Sequence, residues 1–147
     1  MASGNDANDV CLHAMFREQV ARTPDNIALI SKDRSITYKA LDEASDRLAA
    51  SLIRHGVKKD SCVGILMDRS LEYALTYVAI LKAGGAYLVL DPAYPEDLLA
   101  NVLKSSKPTV VVCKRNLAGR LPETSPVIVL KTNPFDAKNS VDQITEE

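Results

Sequence analysis

At 147 residues, 46% of them apolar and 25% charged, the chain has the length and composition of one soluble globular domain with enough apolar mass to bury a core. A formal net charge of -1 provides no global field for nucleic acid or an anionic membrane, so neither is expected as a partner. The longest apolar segments, residues 73–81 and 83–90, are separated by Lys82 and closed by a turn, and each is shorter than the about 20 residues that span a bilayer.

Residues 1–8 are small and polar and are expected to be a disordered lead-in. They have no basic start followed by an apolar core, so no secretory signal is expected and a cytoplasmic location is the default. From Asp9, a plausible N-cap, the residues Leu12, Met15, Phe16 and Val20 recur at helical spacing until Arg22-Thr23-Pro24 stops the run. Ile27 to Ser31 and Ser35-Ile36-Thr37, joined through Asp33-Arg34, predict a hairpin. Thr37 then caps a helix from Tyr38 to His55 with Leu41, Ser45, Leu48 and Leu52 on one stripe and Ala44, Ala49 and Ile53 beside it. Gly56 ends that helix.

Cys62 to Met67 has the pattern of a buried strand closed by Asp68-Arg69. The stretch that follows, from Ser70 to Pro95, organises the chain. Ser70 is an N-cap; Ala74, Leu75, Val78, Ala79 and Leu81 form an apolar face widened by Tyr77 and Ile80, so the helix is expected to be covered on more than one side. Gly84 or Gly85 supplies the positive φ that ends it after Lys82. Ala86 to Leu90 is continuously apolar, which predicts an interior parallel strand. Pro95 opens a further helix with Leu98, Leu99, Val102 and Leu103 as its inner face and Lys107-Pro108 as its end. Thr109 to Cys113 and Val127 to Leu130 are strands, residues 116–121 a short helix or loop, and residues 131–147 a weakly patterned polar tail. Alternating strands and helices imply an α/β fold, a doubly wound, mostly parallel sheet with helices on both faces.

Ligands of such sheets collect beyond the carboxyl ends of the strands, so Asp68 and Asp91 are the first polar candidates; the alternative is that Asp68 merely precedes a helix and Asp91-Pro92 forms a turn. Neither G-x-x-x-x-G-K-S/T nor G-x-G-x-x-G occurs. Gly84 and Gly85 follow a helix rather than preceding one, the wrong order for a phosphate to meet a helix N-terminus. Cys11, Cys62 and Cys113 are odd in number and widely spaced, which fits reduced thiols rather than a disulfide framework or zinc site. Cys11 with His13 is too few ligands for a metal, and His55 belongs to no nucleophilic constellation.

Together these residues resemble the N-terminal part of an adenylate-forming enzyme of the amino-acid-activating type found in nonribosomal peptide synthetases. Ile36-Thr37-Tyr38-Lys39-Ala40-Leu41 is similar to the family's first core motif (Leu or Ile, Thr, Tyr, any residue, Glu, Leu). Residues 63–70 resemble the strand and turn leading to the second motif. LKAGGAYLVLDPAYPEDLL resembles that motif in order, spacing and identity through Leu81, Lys82, Ala83, Gly84, Ala86, Tyr87, Asp91, Pro92, Tyr94 and Pro95. Phe16 and Thr23-Pro24-Asp25 fit the family's opening. Ala40 stands where the motif has Glu, Val89 where it has Pro, Asp97 where Arg is usual, and Asp60-Ser61 where Gly-Asp is usual. The resemblance covers residues 9–130 and implies an incomplete N-terminal subdomain.

It also implies that a complete parent uses Mg-ATP to convert a carboxylic or amino acid to an acyl-adenylate and pyrophosphate, then transfers the acyl group to a carrier thiol. The family's phosphate loop, substrate pocket and catalytic lysine lie downstream of the matched region. No catalytic, cofactor-binding or metal-binding residue is therefore assigned, and the chain alone is expected to be inactive. The implied partners are the remainder of the adenylation domain or a neighbouring synthetase domain. Two other readings are a non-enzymatic interaction module docking through an exposed sheet edge, and a receiver-like signalling domain. The second rests on a superficial likeness of Lys82 to Leu88 to a receiver segment and lacks the lysine before Pro92.

Overall fold

The computed structural model describes residues 14–32, 34–130, 133–135 and 144–146. The lead-in, the Asp9 cap, Leu12, Cys11 and His13 lie outside the described residues. Helix α1 covers residues 14–22, and β1 (Ile27–Ser31) pairs antiparallel with β2 (Arg34–Thr37). There follow α2 (Tyr38–Arg54), β3 (Cys62–Leu66), α3 (Leu71–Lys82), β4 (Ala86–Leu90), α4 (Glu96–Ser106), β5 (Val110–Lys114), α5 (Arg115–Ala118), β6 (Val127–Leu130) and β7 (Ile144–Glu146). The main sheet has the order β4-β3-β5-β6-β7; its first four strands are parallel and β7 is antiparallel to β6.

The two sheet faces carry separate cores because side chains alternate along each strand. On one face Val63, Ile65, Val110, Val112, Ile128 and Leu130 meet Leu48 and Leu52 of α2 and Leu75 and Ile80 of α3. On the other, Leu66, Leu90, Val111, Cys113, Val127 and Val129 meet Leu99 and Leu103 of α4. Each such leucine, removed wholly from water, contributes about 1.5–3 kcal/mol of transfer free energy.

The helix ends follow their capping residues. Thr37 Oγ1 accepts from the Ala40 amide at 3.1 Å, and Ser70 Oγ accepts from the Tyr73 amide at 3.2 Å. Helix α3 closes with paired bonds, Gly84 N–H to the Leu81 carbonyl at 3.1 Å and Gly85 N–H to the Ile80 carbonyl at 3.0 Å, with Gly84 at φ +83. Gly84 therefore supplies the left-handed conformation, while Gly85 supplies space: a Cβ there would lie 3.1 Å from the Ser61 carbonyl oxygen. Helix α2 ends in the same way, with Gly56 at φ +96 and Val57 N–H bonded to the Leu52 carbonyl at 3.0 Å.

Four expectations need correction. Strand β4 is an edge strand: among the described residues it pairs with β3 only, and Tyr87 and Val89 are 47% and 44% exposed. Its apolar run reflects one face packed under α4, through Leu88 and Leu90, and another on which Tyr77 meets the Tyr87 ring at 4.9 Å while Tyr87 and Val89 stay partly exposed. The buried stripe of α3 runs through Leu71, Glu72, Leu75, Thr76, Ala79 and Ile80, so Ala74, Val78 and Leu81 lie beside it rather than in it. Leu98 is 44% exposed, because α4 turns Leu99 and Leu103 to the sheet. Within residues 131–147, Ile144–Glu146 adds a strand by backbone pairing where the side-chain pattern is too short to announce one.

Lys82 joins α3 to α2. Its side chain is 2% exposed, and Nζ lies 2.7 Å from Asp42 Oδ1 and 2.8 Å from Asp46 Oδ1. It also donates to the Asp42 carbonyl at 3.2 Å and lies 5.3 Å from the centroid of the Phe16 ring. Asp42 and Asp46 are four residues apart on one helix face and repel each other; the ammonium between them removes that repulsion and is itself desolvated only because three oxygens receive it. Lys82→Met is expected to lower stability by about 1–3 kcal/mol in urea unfolding, since it leaves Asp42 without its cation. Adding Asp42→Asn should recover part of the loss; an unchanged midpoint for the single variant would remove the network from the account.

Lys107 ends α4 in the left-handed region, at φ 46, directly before Pro108 and with its side chain exposed. Lys107→Gly is therefore expected to stabilise the chain by about 0.5–1 kcal/mol and Lys107→Val to destabilise it, both measurable by the same unfolding curves.

Candidate functional site

After β3 the chain places β4 on one side of it and β5 on the other, so the direction of strand order reverses between β3 and β5. The crevice beyond the carboxyl ends of those two strands is where an α/β sheet offers room for a ligand. Asp68 and Arg69 leave β3 at this end, both exposed, and Lys114 closes β5.

The group that dominates this end is Glu72, in the first turn of α3 and 4% exposed. Arg34 of β2 reaches Glu72 Oε2 at 2.9 Å, and Lys114 Nζ lies 3.1 Å from Oε1 as an ion pair outside strict hydrogen-bond geometry. Burial acts to raise the Glu72 carboxyl, but the two cations and the residue's own main-chain amide outweigh it and hold the group below the ordinary glutamate value. The first turn of α3 adds the positive end of a helix dipole. One carboxylate thus ties the β1-β2 hairpin, α3 and β5 together across the mouth of the crevice.

Asp91, at the end of β4, is exposed and occupied locally: its Oδ1 accepts from the Ala93 amide at 2.9 Å and its carbonyl accepts from the Tyr94 amide at 3.0 Å. The turn alternative for Asp91-Pro92 is the one realised. Ser70 Oγ donates to the Asp68 carbonyl at 3.0 Å, which fixes the approach to α3 rather than a reactive group. The guanidinium of Arg120 donates to the carbonyls of Pro92 and Tyr94, holding the same turn from the far side of the chain.

The motif residues fall into architectural places. Thr37 caps α2; Tyr38 begins it, its ring 6.1 Å from Phe16; Leu41 is buried at 3% exposure. Leu81 and Lys82 end α3, Ala83 caps it, Gly84 turns the chain, and Ala86 and Tyr87 start β4. Tyr94 packs against the α4 core and Pro95 is the N-cap of α4. Asp60, where the resembled motif has glycine, is held at φ 66 and donates its amide to the Gly84 carbonyl at 2.9 Å.

Chemically, this end is an ion cluster of one carboxylate and two cations, and a pinned turn. The amides of Gly84 and Gly85 are already bonded to helix carbonyls, so they offer nothing to a phosphate. No group of three or more His, Cys, Asp or Glu among the described residues could hold a metal ion. His55 Nδ1 faces the Ser51 carbonyl at 2.8 Å, and burial pushes the Cys62 thiol up, away from the reactive thiolate. Glu72 and Arg120 were missed at the sequence level. Glu72 carried a partial signal, an acid in a first turn; the partners of both are distant in the chain, and Arg120 carried none.

A family model described as AMP-binding enzyme matches residues 16–147. The chain is 39% identical over 123 residues to gramicidin S synthase 2 of Brevibacillus brevis, covering 84% of this chain and 3% of that protein. It is 44% identical over 126 residues to glycine betaine reductase ATRR of Emericella nidulans, covering 86% of this chain and 10% of that one. Among solved structures, the nonribosomal peptide synthetase FmoA3 in its alpha-methyl-L-serine-AMP bound form aligns at a TM-score of 0.73 and 32% identity, over 78% of this chain and 13% of that chain. The N-terminal subdomain of Klebsiella oxytoca NpsA aligns at 0.62 and 30% identity, over 69% and 27%. The chain spans a small part of each relative. With its parallel sheet, its caps and its second-motif turn in the places described, the chain belongs to the AMP-binding enzyme family and matches part of an adenylation domain of the nonribosomal peptide synthetase type.

Proposed function

We propose that this chain is the scaffold-forming first portion of an adenylation domain, whose complete form uses Mg-ATP to convert a carboxylic or amino acid to its acyl-adenylate and passes the acyl group to a carrier thiol. The observation that carries the reading is the fate of the second motif: Lys82 is buried between Asp42 and Asp46, and the amides of Gly84 and Gly85 cap α3. These residues do not fit Mg-ATP, so nucleotide and metal are assigned to segments beyond those described here. The partners are then the segments that complete the domain, whether in the same polypeptide or supplied separately. A reducing, cytoplasmic setting suits Cys62 and Cys113, which form no disulfide among the described residues. The 147-residue chain by itself is expected to give no ATP–pyrophosphate exchange with any amino acid offered. Robust exchange would overturn this reading.

What the chain contributes to such a domain is a fixed mouth at the carboxyl ends of β3 and β5, held by Glu72. The folded Glu72 carboxyl lies below its unfolded value, so its stabilisation is fully present above the ordinary glutamate pKa of about 4.3 and is lost as pH falls through the folded value. Because Arg34 and Lys114 are 45% and 34% exposed, solvent screens the pair energy. Glu72→Gln is expected to cost about 1–2 kcal/mol at neutral pH, with the gap to the parent chain closing as pH drops below about 4. A gap that stays constant with pH would show that the carboxylate charge is not the source.

A further inference from the structure

Among the described residues, no strand pairs with the outer edge of β4. Natural edge strands carry lysine, proline or a bulge that discourages pairing; β4 is Ala-Tyr-Leu-Val-Leu in unbroken register with β3. The backbone groups of β4 that face away from β3 can be placed. Ala86 N–H donates to the Ser61 carbonyl at 2.7 Å, toward β3, so by strand alternation the N–H and C=O of Tyr87 and Val89 point outward. The side chains of these two residues share the α3 face, 47% and 44% exposed, next to Tyr77.

We propose that this edge pairs with the β4 edge of a second copy of the chain, antiparallel across a two-fold axis at Leu88. That register sets Tyr87 opposite Val89 of the partner at both ends. Both residues point their N–H and C=O outward, so each pair exchanges two hydrogen bonds and the junction makes about four in all. The strand is its own complement: it has no charged residue, so the two-fold axis brings no like charges together, and the Tyr77, Tyr87 and Val89 clusters of the two copies meet on one face. A strand supplied by the rest of an adenylation domain is the less suitable occupant. The motif resembled here has proline at the place of Val89, and proline has no N–H for a neighbouring strand. Val89 restores that donor in this chain.

The test uses the 147-residue chain in sedimentation velocity over a wide concentration range, with amide exchange read by NMR. A monomer–dimer equilibrium is expected, with the Tyr87 and Val89 amides slowing by about tenfold or more as dimer forms while Leu88 and Leu90, already bonded to β3, change little. Val89→Pro should abolish the dimer and leave the monomer's circular dichroism intact, because the N–H it removes points away from β3 and meets no strand among the described residues. If that variant does not fold, Tyr87→Lys keeps every amide and should abolish the dimer by bringing cations into the seam. A chain monomeric at all concentrations, Tyr87 and Val89 amides slow in the monomer, or a dimer that survives these variants would each overturn the proposal.

Discussion

One buried cation links the two helices that cover one face of the sheet. Lys82 ends the helix that leads into β4, and its ammonium lies between Asp42 and Asp46 of α2, so the segment before the sheet is fastened to the segment that builds it. Without that contact α2 would still present an apolar stripe to α3, but hydrophobic contact alone is non-directional and would not fix how the helices are rotated against each other. A lysine with 2% of its side chain exposed tolerates few geometries. Its ammonium is received by two carboxylates and a carbonyl, and those acceptors come from a single helix turn. The rotation and depth of α3 are thereby set, and with them the point at which Gly84 turns the chain.

From that point the sheet follows by close packing. At Gly64, in the middle of β3, a Cβ would lie 3.1 Å from Leu90 Cδ1 and 3.1 Å from Val111 Cγ2, so the central strand is closely flanked and a larger residue would need both side chains to shift. The same tightness makes β3 the reference for both neighbours, with β4 on one side and β5 on the other. The crevice between their ends is bridged by Glu72, which binds the hairpin to the sheet through Arg34 and Lys114. Charged groups here hold pieces of the scaffold in register, and the residues that mark the family serve the same purpose.

Local structure was legible in the sequence wherever the signal was itself local. Thr37, Ser70, Gly56 and Gly84 mark helix ends because capping depends on neighbours within a few residues, and the structure places the ends there. The strands with branched apolar runs were legible for the same reason. Strand β4 was misplaced because a continuous apolar run reports that both faces avoid water, not which edge is paired; Leu88 and Leu90 satisfy the pattern on one side while Tyr87 and Val89 remain exposed on the other. Glu72 and Arg120 were not legible, since Arg34, Lys114 and the Pro92 and Tyr94 carbonyls come from elsewhere in the chain. Strand β7 has three residues and pairs antiparallel with β6, a contact between segments distant in the chain.

The central claim is that the second-motif lysine is architectural. The most direct measurement is turnover per folded molecule, alongside thermal stability, in a complete adenylation domain carrying this sequence with Lys82→Met. The expected result is a midpoint lowered by several degrees with turnover of the folded fraction unchanged within about twofold. An unchanged midpoint with turnover reduced about a hundredfold or more would contradict it, because a loss of that size in a fully folded enzyme belongs to a group acting on the transition state.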